Sequence, residues 1–160
     1  MLIVCDTSPI TNLLQIGQLD ILHLLFKQIV IPQSVYKELV NYEDQKKEIH
    51  KRSWIIVKAV LDIRKLEPLE LYLDKGEAEA IILAKELSAD IIVIDERRGR
   101  KVATDYGLKI IGLLGILISA KRKGHIDLLK PYLHKLVFDI GFRINDSLYQ
   151  RVLQEVDEAE

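Results

Sequence analysis

The chain reads as an α/β protein, a three-layer α/β/α sandwich around a mainly parallel central sheet. Three observations predict this. Short continuous apolar runs, Leu2–Cys5 and Ile91–Ile94, have the unbroken apolar character of strands buried on both faces. Between them lie stretches with helical spacing of apolar residues, so strand and helix alternate. The third is length: 160 residues fit one ordinary domain, 1–160, with a core that needs no disulfide.

Taken in order, Leu2–Cys5 is a buried strand halted by Asp6-Thr7-Ser8-Pro9. Ser8 is the expected N-cap, with Pro9 as first helical residue. Ile10, Leu13 and Leu14 carry that helix to Gly17, and a second helix covers Leu19 to Phe26. Ile29–Ile31 is a strand closed by Pro32. Gln33 to about Tyr42 is helical, with Val35, Leu39 and Tyr42 on one stripe. Residues 43–52 are polar and charged, a solvated helix extension or loop. Trp54–Val57 suits an edge strand. A helix follows from Asp74 to Leu87, then a strand from Asp90 to Ile94, a helix over 96–106, a strand at Leu108–Ile111 and a helix from Leu113 to Lys123, stopped by Gly124. Asp127 to about Val137 is another helix. Asn145 or Asp146 caps the last one, after a brief Phe142–Ile144 segment.

Composition narrows the function. Apolar residues make up 49% and charged residues 29%, which excludes a disordered chain, and a net charge of −1 excludes a basic coat. Any nucleic-acid contact must therefore come from a local patch. The one cysteine, Cys5, cannot form an internal bridge and suits the core. The apolar start, Met1–Cys5, is too short for a signal peptide or a membrane span, so the cytoplasm is the expected location.

Ligands of open parallel sheets bind beyond the carboxyl ends of the strands. Asp6 and Asp95 each follow a strand directly. Two helical acids border buried stripes: Glu38, next to Val35 and Tyr42, and Glu77, at the start of its helix. Glu79 is rotated away from Glu77 and expected to be exposed. Four acids converging at one sheet edge repel one another, and a divalent cation relieves that repulsion. An all-oxygen donor set favours Mg²⁺ or Mn²⁺. His23, His50, His125 and His134 have no ligand spacing, which argues against zinc. Such an ion suits phosphodiester hydrolysis, and Glu38 or Glu77 could instead orient the attacking water. The basic run Arg97, Arg98, Arg100, Lys101 beside Asp95 suits substrate phosphates, whereas Lys121-Arg122-Lys123 suits a helix C-terminus. A phosphoacceptor receiver domain also carries acids at strand ends. It needs adjacent acids after its first strand, where this chain has Asp6 alone.

Three motifs in order resemble one family. Val4-Cys5-Asp6-Thr7-Ser8-Pro9-Ile10 resembles the opening strand of PIN domains, and Ile31-Pro32 leading to Val35-Tyr36-Lys37-Glu38-Leu39 resembles their second motif. Gly76-Glu77-Ala78-Glu79-Ala80-Ile81, with Ile94-Asp95-Glu96-Arg97-Arg98-Gly99-Arg100, resembles a branch of small prokaryotic proteins related to VapC-type toxins. The resemblance implies a Mg²⁺- or Mn²⁺-dependent endoribonuclease, a homodimer, an RNA substrate and a small antitoxin partner. It implies that Asp6, Glu38, Glu77 and Asp95 are catalytic and metal-binding, with Thr7 and Ser8 in support. Glu77 stands where many PIN domains have Asp, one methylene shorter. A catalytically weak or inactive PIN-like module that binds nucleic acid or protein is the alternative.

Overall fold

The computed structural model describes residues 1–159. Five strands, β1 (Ile3–Cys5), β2 (Ile29–Pro32), β3 (Ile55–Lys58), β4 (Ile91–Val93) and β5 (Ile110–Ile111), form one all-parallel sheet in the order β3-β2-β1-β4-β5. The first strand is thus the central one. Val4 pairs with Val30 on one side, and Ile3, Val4 and Cys5 pair with Ile91, Ile92 and Val93 on the other. Chain connections leave β1 towards one edge and later return to build the other, which makes its carboxyl end a topological switch point.

Helices cover both faces. They are α1 (Thr7–Gln15), α2 (Ile21–Phe26), α3 (Gln33–Leu39), α4 (Glu43–His50), α5 (Glu67–Glu70), α6 (Lys75–Glu86), α7 (Arg97–Asp105), α8 (Leu113–Arg122), α9 (Lys130–His134) and α10 (Asp146–Glu155). The period-two alternation of the strands sorts them. Ile3, Cys5, Ile29, Ile31 and Val93 face a core with residues of α1, α2, α8 and α10, while Val4, Val30, Ile92 and Ile94 face α6 and α7. The expected α/β/α sandwich is therefore present. Cys5 lies in the first of these cores, where burial raises its thiol pKa well above the ordinary value. No helix among the described residues is long and apolar enough to cross a membrane.

Local differences from the sequence reading have physical causes. Asp6, not Ser8, takes the N-cap position of α1, so Pro9 falls in the first turn, where an N–H is not needed. The helix expected from Gln33 to Tyr42 ends at Leu39, and a separate helix, α4, occupies Glu43–His50, within the segment expected as a helix extension or loop. Tyr42 is extended and caps α4, whose first turn holds Glu43 and Asp44 and whose last turn holds Lys47 and His50, each favourable to the helix dipole. Tyr42 consequently points outward and does not join the stripe of Val35 and Leu39. The strand expected at Leu108–Ile111 shrinks to two residues. After α9 the chain widens into π-type turns over Lys135–Ile140, closed by Gly141 at φ 87°, and Phe142–Ile144 adopts no regular element. Asn145 does cap α10, accepting the N–H of Leu148 at 2.7 Å.

Glu79 is buried, contrary to expectation, with 8% of its surface exposed. Helix α6 packs on the sheet with α3 lying along its other side, and every residue from Gly76 to Ala84 is buried. Rotation about one helix axis could not reveal that cover. Glu79 Oε1 accepts the backbone N–H of Ser34 at 3.1 Å, satisfying a donor in the first turn of α3.

Candidate active site

Three elements deliver acids to the carboxyl end of β1. Asp6 continues the strand by one residue, its N–H donating to Val93 O at 2.9 Å, which fixes where the side chain leaves the sheet. Asp6 is 4% exposed, and its side chain makes no capping hydrogen bond to α1 beyond the influence of the adjacent Thr7 N–H. Glu38 comes from the last turn of α3. Glu77 comes from the first turn of α6, where it completes a reciprocal capping box: its N–H donates to Asp74 Oδ1 at 2.8 Å, and its Oε1 accepts the N–H of Asp74 at 3.2 Å.

Glycines measure the crowding. A Cβ added to Gly76 would lie 2.9 Å from Glu38 Oε1, 3.4 Å from Asp6 Oδ1 and 3.5 Å from Asp74 Oδ1, so three carboxylates crowd one point. A Cβ on Gly99, in the first turn of α7, would lie 2.7 Å from Glu77 Oε2. The resulting cleft, about 380 Å³, is lined by Asp6, Glu38, Asp74, Glu77 and Glu96, with Thr7, Ser8, Thr11 and Asn12. Among the described residues, no lysine, arginine or histidine lines it.

Like charges and burial shape the ionisation. Burial lifts the Asp6 carboxyl to about 7, and the charges of Asp74, Glu77 and Glu38 push in the same direction against the N–H of Thr7. Burial likewise lifts Glu77 to about 7, with the charge of Asp74 adding to it. Glu38 is raised by burial first, against the Thr7 hydroxyl that favours its charged form, with the charge of Asp74 adding to the rise. The shifts share their causes: burial disfavours the charged form, and neighbouring carboxylates add like-charge repulsion.

Asp95 is placed differently from the other three predicted acids. Its Oδ1 accepts the N–H of Leu113, at the start of α8, at 2.8 Å. Burial raises its pKa, while the Leu113 N–H and the Arg100 guanidinium hold it down. It lines an adjoining cavity of about 810 Å³ and not the acidic cleft. The two spaces share Ser8, Asn12 and Glu96 as walls. Asp6, Glu38 and Glu77 are therefore together, and Asp95 is one wall away.

The basic run divides as well. Arg100 is half-buried and donates to Ile94 O at 3.3 Å, and Lys101 pairs with Asp105 on its own helix at 3.3 Å. Arg97 and Arg98 are exposed. Lys121 and Arg122 pair with Glu158 and Glu155, in keeping with a structural role. Asp74 and Glu96 are the acids that the sequence reading missed. Asp74 was legible as the first letter of an Asp-x-x-Glu capping box, and Glu96 as the residue after the strand-ending Asp95.

The donor set suits a hard divalent cation. Every lining polar group is an oxygen donor apart from the amide nitrogen of Asn12; Glu77 Oε2 and Thr7 Oγ1 are buried without a geometric hydrogen-bond partner, as is Asp95 Oδ2 in the adjoining cavity. The ligand set is not closed in advance: among the described residues, no three His, Cys, Asp or Glu side chains stand together as metal ligands. A family model described as a PIN domain matches residues 2–158 of the chain, while no curated protein and no solved structure matches it.

Proposed function

Since the chain belongs to the PIN-domain family, a family of nucleases, we propose that it is a Mg²⁺- or Mn²⁺-dependent endoribonuclease acting at the cleft around Asp6. One observation carries the reading: five carboxylates line a single recess that holds no cationic side chain. Asp6 and Glu77 are buried in it with no cationic side chain beside them, which costs folding stability unless an ion is bound.

Asp6, Glu38 and Glu77 would hold the ion, with Asp74 and Glu96 beside them. When bound, the ion supplies an acidified water and a counter-charge for the phosphate oxygens. The chain's own groups do the rest. Asp6 is held at a fixed point by the sheet ladder. Asp74 keeps Glu77 oriented through the capping box, leaving Oε2 free. Thr7 Oγ1 is buried beside the Glu38 carboxylate, whose charged form it favours, and would help to hold that carboxylate at the ion. In the alternative division of roles, Glu38, the most exposed of the three predicted acids here, would orient the attacking water as base instead of holding the ion. Asp95 positions the start of α8 through Leu113.

The test is cleavage of RNA by the purified protein with Mn²⁺ or Mg²⁺, and with the chelated protein as blank. We expect cleavage that disappears in Asp6→Asn and Glu77→Gln while their circular dichroism matches wild type. Intact RNA with the wild-type protein and Mn²⁺ would refute it and favour the second reading, a PIN-like binding module. That alternative draws support from Glu77 Oε1 being engaged in the capping box and from the absence of a closed ligand set among the described residues.

The finer reading follows the motif resemblance. It makes the protein a cytoplasmic, homodimeric toxin of the VapC-like branch, held in check by a small antitoxin. Growth arrest on expression, relieved by Asp6→Asn, would support it. Unimpaired growth with active enzyme present would count against it.

A further inference from the structure

The cavity beside the acidic cleft has a different electrostatic character. Asp95 and Glu96 line one part of it, and Arg97, Phe142 and Arg143 another. Two arginines share this space with two acids, yet among the described residues neither Arg97 nor Arg143 forms an ion pair. Asp95 already has the Leu113 N–H, with Arg100 close by. Both cationic side chains are exposed, so their guanidinium donors remain open to a ligand.

The placement of Arg143 is built into the backbone. Gly141 ends the π-type turns in the left-handed region, φ 87°, and the Phe142 N–H returns to Leu136 O at 2.8 Å. A side chain is rarely tolerated at that φ. The turn brings Arg143, 46 positions along the chain from Arg97, to the same cavity as the start of α7. The cavity joins the acidic cleft through Ser8, Asn12 and Glu96.

We infer that this cavity is a subsite for single-stranded RNA, in which Arg97 and Arg143 each contact a backbone phosphate next to the one entering the acidic cleft. The inference rests on the proposed ribonuclease reading for its direction along the strand. Guanidinium groups match phosphate oxygens in a bidentate fork, and an unpaired strand can follow a recess at a sheet edge that a rigid duplex cannot enter. Separating cations from the carboxylate cleft also makes chemical sense. The arginines hold the strand without neutralising the acids that the ion needs. Phe142 is half-buried against the core and lines the same cavity, which anchors the backbone next to Arg143.

The experiment measures binding of a short labelled single-stranded oligoribonucleotide by the whole protein, in chelator, over a salt series. Each phosphate contact on a single strand contributes roughly 0.7 to the slope of log affinity against log salt. The double variant Arg97→Ala/Arg143→Ala should bind more weakly, with a slope smaller by roughly 1.4. The variant Arg97→Lys/Arg143→Lys should recover most of the slope, and Arg64→Ala, an exposed cation elsewhere, should match wild type. An unchanged affinity and slope in the double alanine variant overturns the subsite, as does a wild-type protein that binds no strand. Binding by wild type without cleavage under Mn²⁺ would instead sink the nuclease reading and leave the subsite standing.

Discussion

Replacing Asp6 by Asn should make the metal-free protein more stable at pH 8. Burial and three neighbouring acids move this carboxyl from 3.8 to about 7 in the folded chain. In the unfolded chain it titrates near its ordinary value of about 4. Below about pH 4 both states carry the proton, and no penalty arises. As pH rises from about 4 to about 7, the unfolded chain has lost the proton and the folded chain still holds it, so stability falls. Above about 7 both are ionised and the whole penalty is present. Three pH units at about 1.36 kcal/mol each set a ceiling of about 4 kcal/mol. Neighbouring acids relax when one of them is removed, so the measured difference should lie below that ceiling. Urea unfolding in chelator at pH 4 and pH 8, with wild type and variant in parallel, isolates the contribution. The difference in unfolding free energy should be small at pH 4 and favour Asp6→Asn at pH 8. Adding Mn²⁺ at 100 times its dissociation constant should then stabilise wild type by about 2.7 kcal/mol and the variant much less. A variant less stable than wild type at pH 8 in chelator, or one with the same pH profile, would show that Asp6 is not an uncompensated buried charge.

Gly76→Ala should abolish most cleavage and leave thermal stability within about 1 kcal/mol of wild type, because alanine favours the helix while its methyl displaces the Glu38 carboxylate; full activity would mean that Glu38 is not needed where it stands. Glu79→Ala should lower stability by about 1–3 kcal/mol by orphaning the Ser34 N–H, read by urea unfolding, with activity per folded molecule retained. Asp95→Ala should cost a similar amount, about 1–3 kcal/mol, by stripping the Leu113 N–H of its acceptor. An Asp95→Ala protein of wild-type stability would contradict the anchoring role assigned to that carboxylate.

The parts legible in the sequence were those fixed by local chemistry. The runs Ile3–Val4–Cys5 and Ile91–Ile92–Val93 had to be buried strands, and an acid directly after each run had to emerge at one sheet edge. Asn145 announced the last helix because its side chain caps it without outside help. What was illegible depended on packing between elements. Glu79 looked exposed until α3 lay across it. Asp95 looked equivalent to Asp6 by its register, yet a partner 18 positions later, Leu113, turns it towards α8. Asp74 was visible as a helix start but not as a member of the cleft, since only the fold places Gly76 against Glu38 and Asp6.

The order of the strands has an evolutionary consequence. The recess exists because the chain turns opposite ways on either side of its central strand, so backbone routing, not any one side chain, keeps it open. A descendant that lost its acids to mutation would retain the hollow and its rim. It would start with a ready-made receptor for some other molecule, so the architecture can outlast whatever chemistry the acids support.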